Sequence, residues 1–313
     1  MIHSSSYRIM FIFRSVALEG ATDADAYAYS KTLRMYLLSE SAHPPETRFV
    51  DDRNYPLHTL PFYDIRALQD IHGIISVEPV QPRDKVMMGM LATLGIEPGK
   101  PFDPPAKLEA AMERGVVDAY HYMQQLDDKL FASNLYWPDR HWSFVMVPDE
   151  KHGFEFVTDD AVEIDKRAAA WFFFTFYPKI LTQQAGTVYL APIADSAGRR
   201  LQAGKTYRLR VPKDVPAKQF WSLAVYDRAT WAFVKNPLDR AGLGSFNRDT
   251  MRMNGDGSVD LYFGPKAPAG LESNWIPTMG KEPYVWLRLY APEDAFWTKS
   301  FRDARRGRGA LKA

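Results

Sequence analysis

The sequence contains no cysteine among its 313 residues. Disulfide bonds, thiolate nucleophiles and cysteine-ligated metal centres are therefore excluded for this chain. The seven histidines never occur in HxH, HxxxH or HExxH spacing, so a metal site would need ligands that only folding brings together. We accordingly predict no metal site, and the residues identify no cofactor.

Several motifs of familiar enzyme classes are also missing. The sequence has no GxSxG nucleophile elbow, no Walker phosphate-binding loop and no GxGxxG fingerprint. These absences disfavour nucleotide enzymes, nicotinamide enzymes and ordinary α/β-hydrolases. The formal net charge of +1 provides no general attraction to nucleic acid or to an anionic membrane surface. We therefore predict that nucleic acid is not a partner.

Long hydrophobic runs are lacking as well. The apolar stretch at residues 9–13 is bounded by Arg8 and Arg14, and the richest run covers only residues 168–177. Both are too short to cross a bilayer, and the first is too short for the core of a signal peptide. We expect no transmembrane segment and no signal peptide in this chain.

What the sequence does contain changes character along the chain. Apolar residues first recur at spacings of three and four, which is typical of helices. Proline and acidic residues near Asp103 are a strong signal for the start of the longest helix. We predict a strand at residues 7–18 and helices at residues 23–38, 63–77 and 82–94, from residue 103, and at residues 165–184.

From about residue 187 onward, apolar and polar residues alternate with a period of two, which predicts strands. Residues 219–226 are apolar on both faces, as expected of a central strand between two layers. We predict an α+β protein, with a helical N-terminal and middle region followed by an all-β, jelly-roll-like sandwich. The predicted strands lie at residues 141–147, 153–158, 205–211, 219–226, 258–263 and 284–290.

Two carboxylates are candidate catalytic residues. Asp227 ends the predicted central strand, and Glu272 lies in the proline-bearing segment 264–278. Glycosidases use two carboxylates about 5 to 9 Å apart, so this pair is a candidate general acid and base. In the alternative interpretation Asp227 opens a turn, and the segment folds back to plug the end of the sandwich.

Aromatic residues make up 14% of the chain, and such side chains stack on sugars and other flat ligands. Tyr226, Trp231, Asn274 and Trp275 are therefore predicted to bind a ligand, which we expect to be a glycan or another small polar molecule. Buried aromatic clusters are the alternative explanation of the same composition.

Three stretches carry a resemblance to a known family. They are GKTYRLRVPKDVPAKQFWSLAVYD at residues 204–227, NGDGSVDLYFGPKAPAGLESNWIPT at residues 254–278 and YVWLRLYAPEDAFWTKSF at residues 284–301. They resemble the bacterial domain-of-unknown-function family numbered 1214. EPVQPRDKVMMGMLATLGIEPGKPFDP at residues 78–104 resembles the linker that precedes this domain. SYRIMFIFRSVALEG at residues 6–20 resembles only the last strand of a second family, numbered 1254, which usually comes first.

The resemblance implies two β-sandwich domains bridged by helices, a jelly-roll topology and export to the periplasm or cell envelope. It supplies no established reaction and no catalytic residues. We expect a remnant of the first domain with a helix at residues 1–40, a helical linker or cap at 41–186, the sandwich at 187–301 and a disordered basic tail at 302–313.

Three hypotheses for the function follow, and the sequence does not decide whether the protein is an enzyme. The first is an envelope protein whose sandwich binds a glycan or other polar ligand. The second is a glycosidase-like hydrolase that uses the paired carboxylates. The third is a subunit of a homo-oligomer, because a missing first domain would leave an apolar face for another copy to cover.

Overall fold

The computed structural model describes residues 4–9, 20–50, 61–145, 156–173 and 186–300. The chain divides into two compact units. The first comprises Met1–Leu57 with Phe62–Val116, and the second comprises His58–Pro61 with Val117–Ala313.

The first unit is helical, as predicted, with α1 (Asp23–Ser30), α2 (Arg66–Ile75), α3 (Lys85–Ala92) and the start of α4 (Ala106–Ser133). At the start of α1 the Thr22 hydroxyl accepts a hydrogen bond from the Asp25 N–H at 3.2 Å, and the Asp25 carboxylate accepts one from the Thr22 N–H at 2.8 Å. These reciprocal bonds satisfy amide groups that the first turn leaves without partners.

The predicted extension of this first helix to residue 38 is wrong, because α1 ends at Ser30. Its tyrosines Tyr27 and Tyr29 are exposed, so the helix buries no apolar face that would support further turns. The helix predicted from Pro82 is present, but a short 3-10 turn, Pro82–Asp84, precedes α3.

The second unit contains the sandwich. The strands are β1 (Trp142–Phe144), β2 (Thr187–Pro192), β3 (Tyr207–Val211), β4 (Ala217–Asp227), β5 (Gly242–Gly244), β6 (Val259–Gly264), β7 (Trp275–Pro277) and β8 (Pro283–Pro292). One sheet has five antiparallel strands in the order β1-β2-β8-β4-β5, and the other has three strands in the order β3-β6-β7, of which β6 and β7 are parallel. Most helices precede this two-sheet sandwich, and the predicted α+β class is confirmed.

The main core lies between the two sheets. Side chains alternate across a strand, so every second residue of β4 and β8 points inward. Leu223 and Leu287 are register partners at the centre, and Phe263 of β6 reaches the same cluster from the other sheet. Burying each such side chain stabilises the fold by about 1.5–3 kcal/mol.

The opposite face of the five-stranded sheet is partly covered by α4 and by α5 (Ile164–Phe173). Met123 and Leu126 of α4 pack there against Ala224, Tyr226 and other residues of the sheet. The second apolar face of β4 that the sequence predicts is therefore explained by a helical layer. Further along β4 and β8, this outer face carries a pocket.

Some predictions fall outside the described residues. They concern most of the strand at residues 7–18, residues 153–155, the helix beyond residue 173 and the basic tail. In the parts of the chain that the structure describes, no helix has both the length and the apolar character needed to cross a bilayer.

Candidate ligand-binding site

An open pocket of about 420 Å³ lies on the outer face of the five-stranded sheet. Its floor includes Ser222 and Ala224 of β4 and Arg288 of β8. Ser222 and Arg288 are register partners, so the pairing of the two strands places both side chains on this face. The rest of the lining consists of Leu223, Phe233, residues 238–243, Phe246 and Asn247.

The wall of the pocket is a loop that Asn236 organises. The Asn236 amide donates hydrogen bonds to the carbonyls of Val234 at 3.2 Å and Arg240 at 2.8 Å. Its side-chain oxygen accepts from the N–H groups of Leu238 at 3.1 Å and Arg240 at 3.2 Å. Asparagine suits this role because its amide replaces backbone partners within a turn. The loop thereby positions Leu238 and Arg240 beside the pocket.

Arg288 is a half-buried cation enclosed by aromatic rings. Its guanidinium carbon lies 5.5 to 5.7 Å from the ring centroids of Tyr189, Tyr226, Phe233 and Trp286. It donates a hydrogen bond to the Tyr226 hydroxyl. Ring faces attract cations, which partly offsets the loss of water around the charge. Among the described residues no carboxylate forms an ion pair with Arg288, and its Nε has no hydrogen-bond acceptor.

Arg240 is a second arginine in the lining. Its side chain donates to the backbone carbonyls of Glu272 at 2.7 Å and Trp275 at 3.1 Å. Asp239 is the only acidic residue that lines the pocket in the described part of the chain. The lining therefore combines two positive charges with one negative charge.

Apolar side chains stand exposed in the same pocket. Phe233 is 50% exposed, Leu238 is 52% exposed and Phe246 is 65% exposed. Exposed apolar groups next to a few convergent polar groups are the usual composition of a small-molecule site. The pocket can therefore provide both an apolar contact surface and charge-assisted hydrogen bonds.

The structure places the predicted catalytic residue Asp227 in a turn. Its carboxylate accepts a hydrogen bond from Lys281 Nζ at 2.5 Å and one from the Ala229 N–H at 3.1 Å. Its carbonyl accepts from the N–H groups of Thr230 and Trp231. These contacts are those of the alternative interpretation, in which Asp227 opens a turn.

The predicted partner Glu272 is exposed, and its carboxylate accepts a hydrogen bond from the Gly270 N–H at 3.1 Å. Within the described residues no hydrogen bond or ion pair joins Glu272 to Asp227. The pairing of the two carboxylates stays a prediction.

Asn274 and Trp275 are engaged with the sandwich itself. The Asn274 amide donates to the carbonyls of Arg252 and Asp260, both at 2.9 Å, and its oxygen accepts from the Arg252 N–H at 2.8 Å. The Trp275 indole donates to the Gly264 carbonyl at 3.0 Å. These bonds hold the segment against β6, so it packs back onto the domain.

Replacing Asn274 with alanine is expected to lower the free energy of unfolding by about 2–3 kcal/mol, because the backbone groups of Arg252 and Asp260 lose the hydrogen bonds that they make to this buried side chain. Asn274 is only 1% exposed, so water does not replace the lost bonds. Urea denaturation measures the effect, with Glu272→Ala on the exposed neighbour as the control. A loss no larger than that of the control would contradict this structural role.

Tyr226 and Trp231, the other predicted ligand-binding residues, are both buried. The Trp231 ring lies 4.1 Å from that of Tyr284 in the cluster beneath α4. Tyr226 belongs to the same cluster, yet its hydroxyl contacts Arg288. Among the four residues predicted to bind a ligand, Tyr226 is thus the one whose side chain contacts an arginine of the pocket. It holds Arg288 in position.

Sequence reasoning missed Arg240, Arg288, Phe233 and Phe246 as site residues. The sequence did contain one indication that Arg288 has a special role, because it is a charged residue at an outward position between aromatic residues in YVWLRLY. Its convergence with residues 233–247 depends on the pairing of β4 with β8 and β5, which the pattern of one strand does not determine.

A separate cluster of charges lies where α4 meets the ends of β4 and β8. Arg228 donates to Asp128 at 2.8 Å and to Gln124 at 3.0 Å, and it lies 3.2 Å from Asp127. Arg200 bridges Asp128 at 2.9 Å and Glu282 at 2.8 Å. A cavity of about 30 Å³ adjoins these groups, which is room for a single water molecule.

Burial raises the pKa of Asp127 to about 8, even though the nearby Arg228 acts to lower it. The cluster contains three carboxylates and two guanidiniums, so one negative charge is in excess, and the most buried carboxyl retains a proton most readily. Burial also raises the pKa of Tyr284 well above its ordinary value. The cluster fastens α4 to the sandwich. The cavity beside it is much smaller than the pocket beside Arg288 and has no room for a ligand.

In the described part of the chain, no group of three or more histidine, aspartate or glutamate side chains is arranged to hold a metal ion. The site that the geometry presents is the pocket beside Arg240 and Arg288.

The family comparison concerns the sandwich, whereas the similar structures extend over more of the chain. Residues 186–294 match the family model described as protein of unknown function (DUF1214). The match confirms the resemblance for the C-terminal domain, whereas the linker and the first-domain remnant stay predictions. No curated protein matches the chain.

Two solved structures are similar to this chain at low identity. The VPA0106 protein from Vibrio parahaemolyticus is 19% identical with a TM-score of 0.41, and the match covers 94% of this chain and 66% of that one. An uncharacterized protein from Burkholderia cenocepacia is 13% identical with a TM-score of 0.26, and the match covers 74% of this chain and 49% of that one. This chain therefore spans about two thirds of the first protein and half of the second.

Proposed function

We propose that the sandwich domain binds a small molecule in the pocket beside Arg240 and Arg288. The observation that carries the proposal is the convergence of exposed Phe233, Leu238 and Phe246 with two arginines, Arg240 and Arg288, in the lining of one open pocket. Its volume of about 420 Å³ lies within the range of about 300–1,000 Å³ that is typical of small-molecule sites. The ligand is thus a single small molecule or the end of a larger one.

The proposed ligand is a small molecule with a polar group, as the sequence predicts. The proposed site, however, is not the one that the sequence predicts. The segment containing Glu272 and Trp275 contributes backbone carbonyls that hold Arg240, while its own side chains pack on or beside the sandwich. The segment therefore supports the pocket from one side.

A ligand panel tests this function. It contains neutral oligosaccharides, sugar acids, carboxylic acids and phosphate esters, and binding is measured by isothermal titration calorimetry. We expect Phe246→Ala to weaken the binding of the best compound by about two- to tenfold, because a contact with an aromatic ring contributes about 0.5–1.5 kcal/mol.

Met279→Ala is the matched control, since Met279 is an exposed apolar residue outside the pocket lining. Equal effects of the two substitutions, or a panel in which no compound binds, would count against the proposed function.

The other hypotheses stay predictions. The separate partners of Asp227 and Glu272 lend the hydrolase no support. Homo-oligomer assembly is favoured by exposed apolar residues of α3, where Val86 and Met90 lie largely in solvent. Export to the periplasm depends on the family resemblance alone.

A further inference from the structure

We infer that the ligand of this pocket is a small organic anion, a monocarboxylate with an apolar or aromatic body. The inference rests on the proposed function and adds the chemical class of the ligand. Its basis is the positive charge that the pocket leaves uncompensated.

The arginines of the sandwich unit differ in how their charges are compensated. Several have carboxylate partners within 3 Å, namely Arg199 with Asp195, Arg200 with Asp128 and Glu282, Arg210 with Asp256 and Arg228 with Asp128. The two arginines that line the pocket have none among the described residues. Arg240 donates to two carbonyls, and Arg288 is held by a hydroxyl and aromatic rings.

A bound anion would stabilise Arg288 more than Arg240. A half-buried guanidinium has lost part of its hydration, and aromatic rings restore only some of the lost stabilisation. A carboxylate would accept two parallel hydrogen bonds from the planar donor fork, which is the geometry that this side chain matches best. The Tyr226 hydroxyl and the surrounding rings hold the fork in place beforehand, which lowers the entropic cost of binding.

The lining also favours one negative charge over two. Arg240 and Arg288 supply two positive charges, and Asp239 opposes them with one negative charge. A monoanion therefore balances the lining, whereas a phosphate dianion would meet repulsion from Asp239. The exposed rings of Phe233 and Phe246 would contact the apolar body of the ligand.

The test compares charged probes with neutral probes of the same shape. Benzoate and hexanoate are titrated against benzamide and hexanamide, with phenyl phosphate and neutral oligosaccharides as further arms. We expect both carboxylates to bind at least about tenfold more tightly than their amides, and their affinity to fall as salt is raised.

Arg288→Gln is expected to weaken benzoate binding about tenfold, and Arg240→Gln is expected to weaken it less. Arg208→Gln is the matched control, because Arg208 is an exposed arginine on β3 of the other sheet. Asp239→Asn is expected to strengthen benzoate binding a few-fold by removing the opposing charge. Arg288→Lys, which keeps the charge without the fork, distinguishes bidentate recognition from simple attraction and provides a second variant if the glutamine variant fails to fold.

The outcomes separate the two proposals. Amides or neutral oligosaccharides that bind as well as carboxylates, with Arg288→Gln unchanged, would overturn the anion and leave the small-molecule site standing. Phenyl phosphate binding more tightly than benzoate would overturn the monocarboxylate. If no compound of the panel and no probe binds, the pocket itself is not a binding site. The same conclusion follows if compounds bind but Phe246→Ala leaves their affinity unchanged.

Discussion

At about pH 9, above the pKa of about 8 that Asp127 has in the folded protein, replacing Arg228 with methionine is expected to lower the free energy of unfolding by about 3–5 kcal/mol, which is the usual cost of removing one partner of a buried ion pair. Arg228 is buried and compensates Asp127 and Asp128 together. Its guanidinium also lies 4.9 Å from the Trp231 ring and 5.1 Å from the Tyr284 ring. Methionine fills much of the same space, so the loss reports the missing charge and its hydrogen bonds.

The effect is measured by urea denaturation followed by tryptophan fluorescence. Arg208→Met, at an exposed arginine of the same domain, is the control. Because at this pH the substitution leaves the charge of the buried Asp127 without its cation, adding Asp127→Asn to the Arg228→Met variant is expected to recover part of the loss. A loss below about 1 kcal/mol, or no recovery in the double variant, would mean that the ion cluster does not hold α4 on the sandwich.

Asp127→Asn by itself is expected to remove part of the pH dependence of stability. Burial raises the pKa of Asp127 from its ordinary value of 3.8 to about 8. Between those values the folded protein keeps the proton that the unfolded chain releases. The contribution of this group therefore favours folding at low pH and is progressively lost as pH rises toward 8, by at most about 1.4 kcal/mol for each pH unit.

Other carboxyl groups also titrate in this range, so the informative quantity is the difference in the free energy of unfolding between the variant and the parent protein. We expect this difference to change in favour of Asp127→Asn as the pH is raised from 5 to 8, and to become constant above about pH 8. Asp214→Asn is the control, since Asp214 is exposed on the surface of the same domain. Parallel stability curves for the variant and the parent protein would show that Asp127 stays ionised in the folded state.

The charged cluster and the pocket show different limits of sequence reasoning. Asp127 lies on the long helix that the sequence predicts, but its raised pKa depends on burial against Arg228, about 100 residues further along the chain. Likewise, Arg288 is visible as an outward residue of a predicted strand, yet its aromatic surroundings come from β2, β4 and the loop at Phe233. No local pattern records such contacts.

The sequence by itself determined the class of the fold and most of the strands. Alternation of period two identifies β3, β6 and β8, because one face of each strand must be apolar to fill the core. A run that is apolar on both faces identifies β4. Helix ends were less well determined, since α1 stops where no buried face supports it. Tertiary structure alone decided the candidate site, because the pairing of β4 with β8 and β5 brings distant side chains to one face. The same pairing and packing leave two arginines without carboxylate partners beside an open pocket. This uncompensated charge cannot be read from any single segment of the sequence.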